Sequence, residues 1–217
     1  KVSVPGEFDP AASRIVSRIK LVLTRLESGI VCLESNPVAF RAFTLANRAM
    51  LISMIHGQEK FAGTVRDVDS AIDCAPDYSS EEYKVFAWRP FQLAFQLLLV
   101  DSLVNEDSED REIVDLIWFP TGGGKTEAYL GVAAFAMAIR RLQGEMGERS
   151  GLAGVTVLMR YTLRLLTLQQ FQRAAALICA CEVIRRDDPA KWGPEPFRIG
   201  LWVGQRSTPN WTKHAAE

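Results

Sequence analysis

Ile15, Ile19, Val22, Leu23 and Leu26 recur at helical spacing behind Asp9, which can cap a helix, and Pro10, which can open one. A helix is therefore predicted from Asp9 that stops at Gly29. The same grammar repeats at Asn36 and Pro37, after which Phe40, Phe43, Leu45, Met50, Leu51 and Ile55 carry an apolar face to Gly57. These two helices are expected to form a helical accessory region over residues 1–60. Polar sequence with Gly63, Pro76 and repeated Asp and Glu then predicts a linker over residues 61–87. Asp67, Asp69 and Asp73 have the spacing of a calcium loop, but Ile72 stands where that loop needs Gly and Tyr78 where it needs Glu.

From Trp88 the pattern changes. Arg89 and Pro90 open an apolar helix through Phe91, Leu93, Phe95, Leu97, Leu98 and Val100, followed by an acidic run to Asp110. Ile113, Val114, Leu116, Ile117, Trp118 and Phe119 then form a nearly continuous apolar run, as expected of a strand buried on both faces of a parallel sheet. An Ala-rich helix is predicted from Thr126 to about Leu142, a second strand over Val155 to Met159, a helix from about Leu163 to Arg186, and a third strand over Arg198 to Val203. The order βαβαβ predicts an α/β fold with a parallel sheet and right-handed crossovers.

Between the first predicted strand and its helix lies Phe119-Pro120-Thr121-Gly122-Gly123-Gly124-Lys125-Thr126, the context a phosphate-binding loop requires. Glycines let the backbone aim successive N–H groups at phosphate oxygens, and the helix N-terminus adds a favourable dipole. Lys125 is expected to reach the β- and γ-phosphates of ATP, and the Thr126 hydroxyl to meet Mg²⁺. Phe119 stands where the strict pattern has its first Gly. Glu127 could touch the nucleotide, although an anion in the first helical turn is favourable in itself.

The P-T-G-x-G-K-T form of the loop resembles that of superfamily 2 helicases. Upstream, Trp88-Arg89-Pro90-Phe91-Gln92 is similar to their R-P-x-Q element, and the resemblance implies adenine recognition by Gln92 with support from Arg89. Downstream, Met159-Arg160-Tyr161-Thr162-Leu163-Arg164-Leu165-Leu166-Thr167-Leu168-Gln169-Gln170 is similar to P-T-R-x-L-x-x-Q, with Tyr161 in place of Pro. The resemblance implies a partial RecA-like lobe over residues 88–217 and nucleic-acid contacts from Arg160, Thr162, Arg164 and Gln169, with Gln205 after the third run. Basic and hydroxyl side chains suit phosphate contacts, which carry little sequence information.

Charge sharpens this picture. The chain of 217 residues has 25 Lys plus Arg against 26 Asp plus Glu, a net charge of −1. Residues 1–110 hold 11 basic and 16 acidic side chains (net −5), residues 111–217 hold 14 and 10 (net +4), so a polyanion is expected on the second half. Four scattered cysteines build neither a disulfide framework nor a zinc site, and a reducing, cytoplasmic setting without a membrane anchor is expected. Cys179 and Cys181 are expected to pack.

The loop together with Met159-Arg160-Tyr161-Thr162-Leu163-Arg164-Leu165-Leu166-Thr167 also resembles the helicase-like subunits of bacterial DISARM antiphage systems. That resemblance implies an ATP-driven enzyme on DNA, a partner subunit of the DrmB kind and a role in antiviral defence. Hydrolysis needs a downstream Asp-Glu pair on Mg²⁺, and no strand-ending pair occurs before Glu217. The chain is therefore expected to be part of a longer helicase and, alone, to turn over negligible ATP. An RNA-directed helicase and a non-catalytic ATP-binding module that recruits a partner stay open as alternatives.

Overall fold

Asn36 separates the first two helices: its Oδ1 accepts from the backbone N–H groups of Val38 (3.0 Å) and Ala39 (3.1 Å), so α1 (Asp9–Ser35) gives way to α2 (Pro37–Gln58). The structure, a computed structural model, describes residues 9–58, 76–120, 122–147, 149–161 and 164–201. Among the described residues four further helices follow: α3 (Pro90–Val104), α4 (Lys125–Gln143), α5 (Arg164–Asp187) and the short α6 (Pro189–Trp192). Two 3₁₀ turns, Glu81–Val85 and Glu109–Glu112, flank α3.

Gly29, read from sequence as a helix stop, lies inside α1. A Cβ there would run into the Leu97 carbonyl oxygen of α3, so the missing side chain is what lets the two helices touch. On α2, Ala39, Ala42, Ala46 and Ala49 are spaced three and four apart and buried. This stripe packs between α4, which brings Leu130, Ala134, Phe135, Ala138 and Ile139, and α5, which brings Ala174, Leu177, Cys181 and Ile184. One core therefore joins helices from both ends of the sequence. The stretch Pro37–Gly57 is long and apolar enough to cross a membrane by length and composition, and 44% of it is buried inside this bundle.

The expected parallel sheet is absent from the described residues, whose sole bridge pairs Met146 with Arg149. The three runs read as strands have neither helix nor ladder among their described residues; residues 202 and 203 lie outside the described part. Continuous apolar sequence asks for burial but does not say against what. Here arginines hold each stretch individually to a helix. Arg25 of α1 grips Asp115 through two hydrogen bonds of 2.6 and 2.9 Å, with Asp110 at 3.0 Å. Arg140 of α4 donates to the carbonyls of Ser150, Ala153 and Val155, which a ladder would otherwise use. Arg141 does the same for Trp192, Glu195 and Pro196, just before the third run. Val114, Leu116, Trp118 and Leu158 remain largely exposed. A RecA-like lobe is accordingly not what the described residues form.

Cys181 is buried and its thiol pushed up to about 12 by desolvation, as packing requires, whereas Cys179 is exposed.

Candidate nucleotide-phosphate site

Pro120 starts a turn in which its carbonyl accepts the Gly123 N–H (3.2 Å); Gly122 and Gly124 then adopt φ of +77° and +88°, the left-handed region open to glycine. Gly124 is the N-cap of α4 and offers no side chain to it, so the first N–H groups of the helix receive no capping bond from that position. Lys125 and Thr126 open the helix.

The carbonyls of this loop are held from behind. Arg89 donates to Gly123 O (2.9 Å), and Gln92 Nε2 donates to Gly124 O (2.7 Å). Gln92 Oε1 accepts the Arg89 backbone N–H (2.8 Å), which satisfies a backbone donor at the start of α3. Both ends of the Gln92 amide are thus engaged, and the residue is 5% exposed. Lys125 Nζ folds back onto the carbonyls of Phe119 (2.6 Å) and Pro120 (3.0 Å).

Two contacts at the loop were not legible in sequence. Phe119, in the place of the usual first Gly, stacks on Phe91 of α3 at 3.9 Å and 13°. A Cβ on Gly123 would lie 2.5 Å from the Phe119 ring, so the aromatic ring and the glycine are fitted to each other. Secondly, Glu127 in the first turn of α4 forms an ion pair with Arg173 of α5.

Arg160 and Gln169 are exposed, and Arg164 begins α5. Tyr161 is held above the usual phenol range by burial, against the opposing pull of the Arg173 charge. The first turn of α4 and α5 meet at the Glu127–Arg173 pair, whose guanidinium charge also acts on Tyr161. Thr121, Thr162 and Gln205 lie outside the described residues.

No family model matches the chain. It is 44% identical over 205 residues to DISARM protein DrmA of Bacillus paralicheniformis. This chain resembles a segment of DrmA. The match takes in 92% of the chain but 17% of DrmA, so the chain spans about one sixth of the length of that relative. The glycine loop and the Arg160 segment are both farther from either end of the chain than the unmatched remainder reaches, so the match spans both.

Proposed function

We propose that the chain is the nucleotide-phosphate-binding part of an ATP-dependent helicase or translocase that acts on DNA in DISARM-type antiviral defence. The observation that carries this reading is the loop. Two left-handed glycines and a helix N-terminus without a side-chain cap leave backbone donors for a polyphosphate, while Arg89 and Gln92 tie the carbonyls away from it. That donor set fits the phosphates of ATP. Lys125 would exchange its bonds to Phe119 O and Pro120 O for the β- and γ-phosphates, and Thr126 would offer its hydroxyl to Mg²⁺. Bound Mg²⁺ supplies charge neutralisation across the phosphates, and the phosphates and water are its main ligands.

The defence role and the DNA substrate draw on the similarity to DrmA. A partner subunit of the DrmB kind belongs to the same proposal. The basic exposed Arg160 and the charge of +4 on residues 111–217 favour a polyanion. In the full-length protein, Lys125→Ala should abolish ATP binding and DNA-stimulated hydrolysis together. Hydrolysis retained in that variant would remove the site assignment, and a wild type that binds ATP without hydrolysing it would favour a recruiting module.

A further inference from the structure

Arg173 is brought beside the glycine loop by the fold, not by the sequence. Its guanidinium pairs with Glu127, 46 residues away on another helix. Glu127 is itself a neighbour of the loop: its Oε2 is 3.3 Å from where a Gly124 Cβ would be, and it follows Lys125 by two residues. On the other side, Arg173 follows Gln169 by one helical turn, so both belong to one face of α5, on which Gln169 is exposed. The pair is not sealed. Arg173 is 40% and Glu127 25% exposed, so water reaches both charges.

Partly exposed ion pairs are weak, because high dielectric and side-chain entropy consume most of the Coulomb attraction. A guanidinium held so loosely can be taken by a better anion, and a nucleic-acid phosphate accepts the same forked pair of N–H groups as a carboxylate does. Such an exchange leaves Glu127 as an unpaired negative charge against the loop where nucleotide phosphates would bind.

We propose that Arg173 is a shared guanidinium: Glu127 and a nucleic-acid phosphate compete for it, and through Glu127 this competition sets the affinity of the glycine loop for nucleotide. Arg173 is a positioning residue in this scheme. The inference rests on the polyanion reading given above and adds the residue pair that links its two sites. Linkage makes the effect reciprocal: DNA weakens nucleotide binding by the same factor by which nucleotide weakens DNA binding.

The test is a double-mutant cycle in the full-length protein, titrated with a single-stranded DNA oligonucleotide at several salt concentrations, with and without a non-hydrolysable ATP analogue. Glu127→Gln should tighten DNA by about two- to five-fold, the size of a weak ion pair removed. It should also steepen the salt dependence by about one released ion. Arg173→Ala should erase both changes, so that the double variant equals Arg173→Ala, and should bring the DNA–nucleotide coupling factor to one; Arg173→Lys should restore part of it. A purely structural bridge would lower the melting temperature in both single variants and leave salt slope and coupling untouched, and that result overturns the proposal. So does a gain from Glu127→Gln that persists without Arg173, or a wild type that does not bind DNA. Lys125→Ala in the same series reports on the phosphate-loop reading alone: analogue binding that survives it removes that reading, whereas the shared guanidinium stands or falls on the DNA titrations of the cycle.

Discussion

Gln92 on α3 and Gly124 at the start of α4 are joined by a 2.7 Å hydrogen bond in which the side-chain amide donates to the glycine carbonyl. The bond spans 32 residues and fixes the carbonyl side of the glycine loop, so that the loop's N–H side is left for a ligand. The other end of the amide is held by the Arg89 N–H. A Gln92 engaged in this way has both ends of its amide taken by the protein, so under the proposed function it braces the loop whichever base the nucleotide carries. Gln92→Ala should therefore weaken ATP and GTP alike, each by about five- to ten-fold, the worth of one such hydrogen bond. Comparative titration with the two nucleotides checks this; a loss confined to ATP would place the amide on adenine instead.

Arg160→Ala combined with Arg164→Ala should weaken DNA binding across unrelated sequences and reduce the salt slope by about two ions, one per phosphate contact. Binding isotherms between low and physiological salt measure it. An unchanged slope would count against these contacts.

Gly29→Ala is a test in which two effects have opposite sign. Helix propensity alone predicts stabilisation by about 1 kcal/mol in mid-helix. The Leu97 carbonyl oxygen stands in the way of the new Cβ, and backbone cannot step aside as a side chain can. Separation of α1 from α3 should dominate and destabilise the protein by about 1–3 kcal/mol in chemical denaturation.

Arg25 is 5% exposed and holds Asp115 (15% exposed) and Asp110. Removing one partner leaves carboxylates without a counter-charge, so Arg25→Ala should cost about 3 kcal/mol. The segment from Asp110 to Asp115 leads directly into the loop, and faster hydrogen exchange there should accompany the loss of stability.

Glu182 gives the acid response. Its carboxyl is held down to about 2, first by the Arg185 guanidinium and further by the Phe197 N–H and Arg186, against the opposing effect of burial. The folded value lies below the unfolded one of about 4.3. Its contribution is therefore complete above that unfolded value and lost as pH falls toward 2. Glu182→Gln should flatten the acid limb of a stability-versus-pH curve between about 4.3 and 2 and cost roughly 1–2 kcal/mol at neutral pH.

What the sequence determined by itself was local. Asn36 with Pro37, and Arg89 with Pro90, mark helix starts because caps and fixed φ act within one turn. Lys125 and Thr126 follow a glycine turn because glycine alone enters the left-handed region at no steric cost. The tertiary structure decided everything that depends on partners distant in sequence. It made Gly29 a helix contact instead of a stop, and set α2 between α4 and α5 in one core. It left the apolar runs without a ladder among the described residues, with Arg25, Arg140 and Arg141 holding these stretches in place of a sheet. And it joined Glu127 to Arg173. Apolar spacing records how much surface must leave water, and charge records which ions a segment can hold. Neither names the partner, since hydrophobic burial has no direction and an arginine donates to any carbonyl or carboxylate that the folded chain brings within reach.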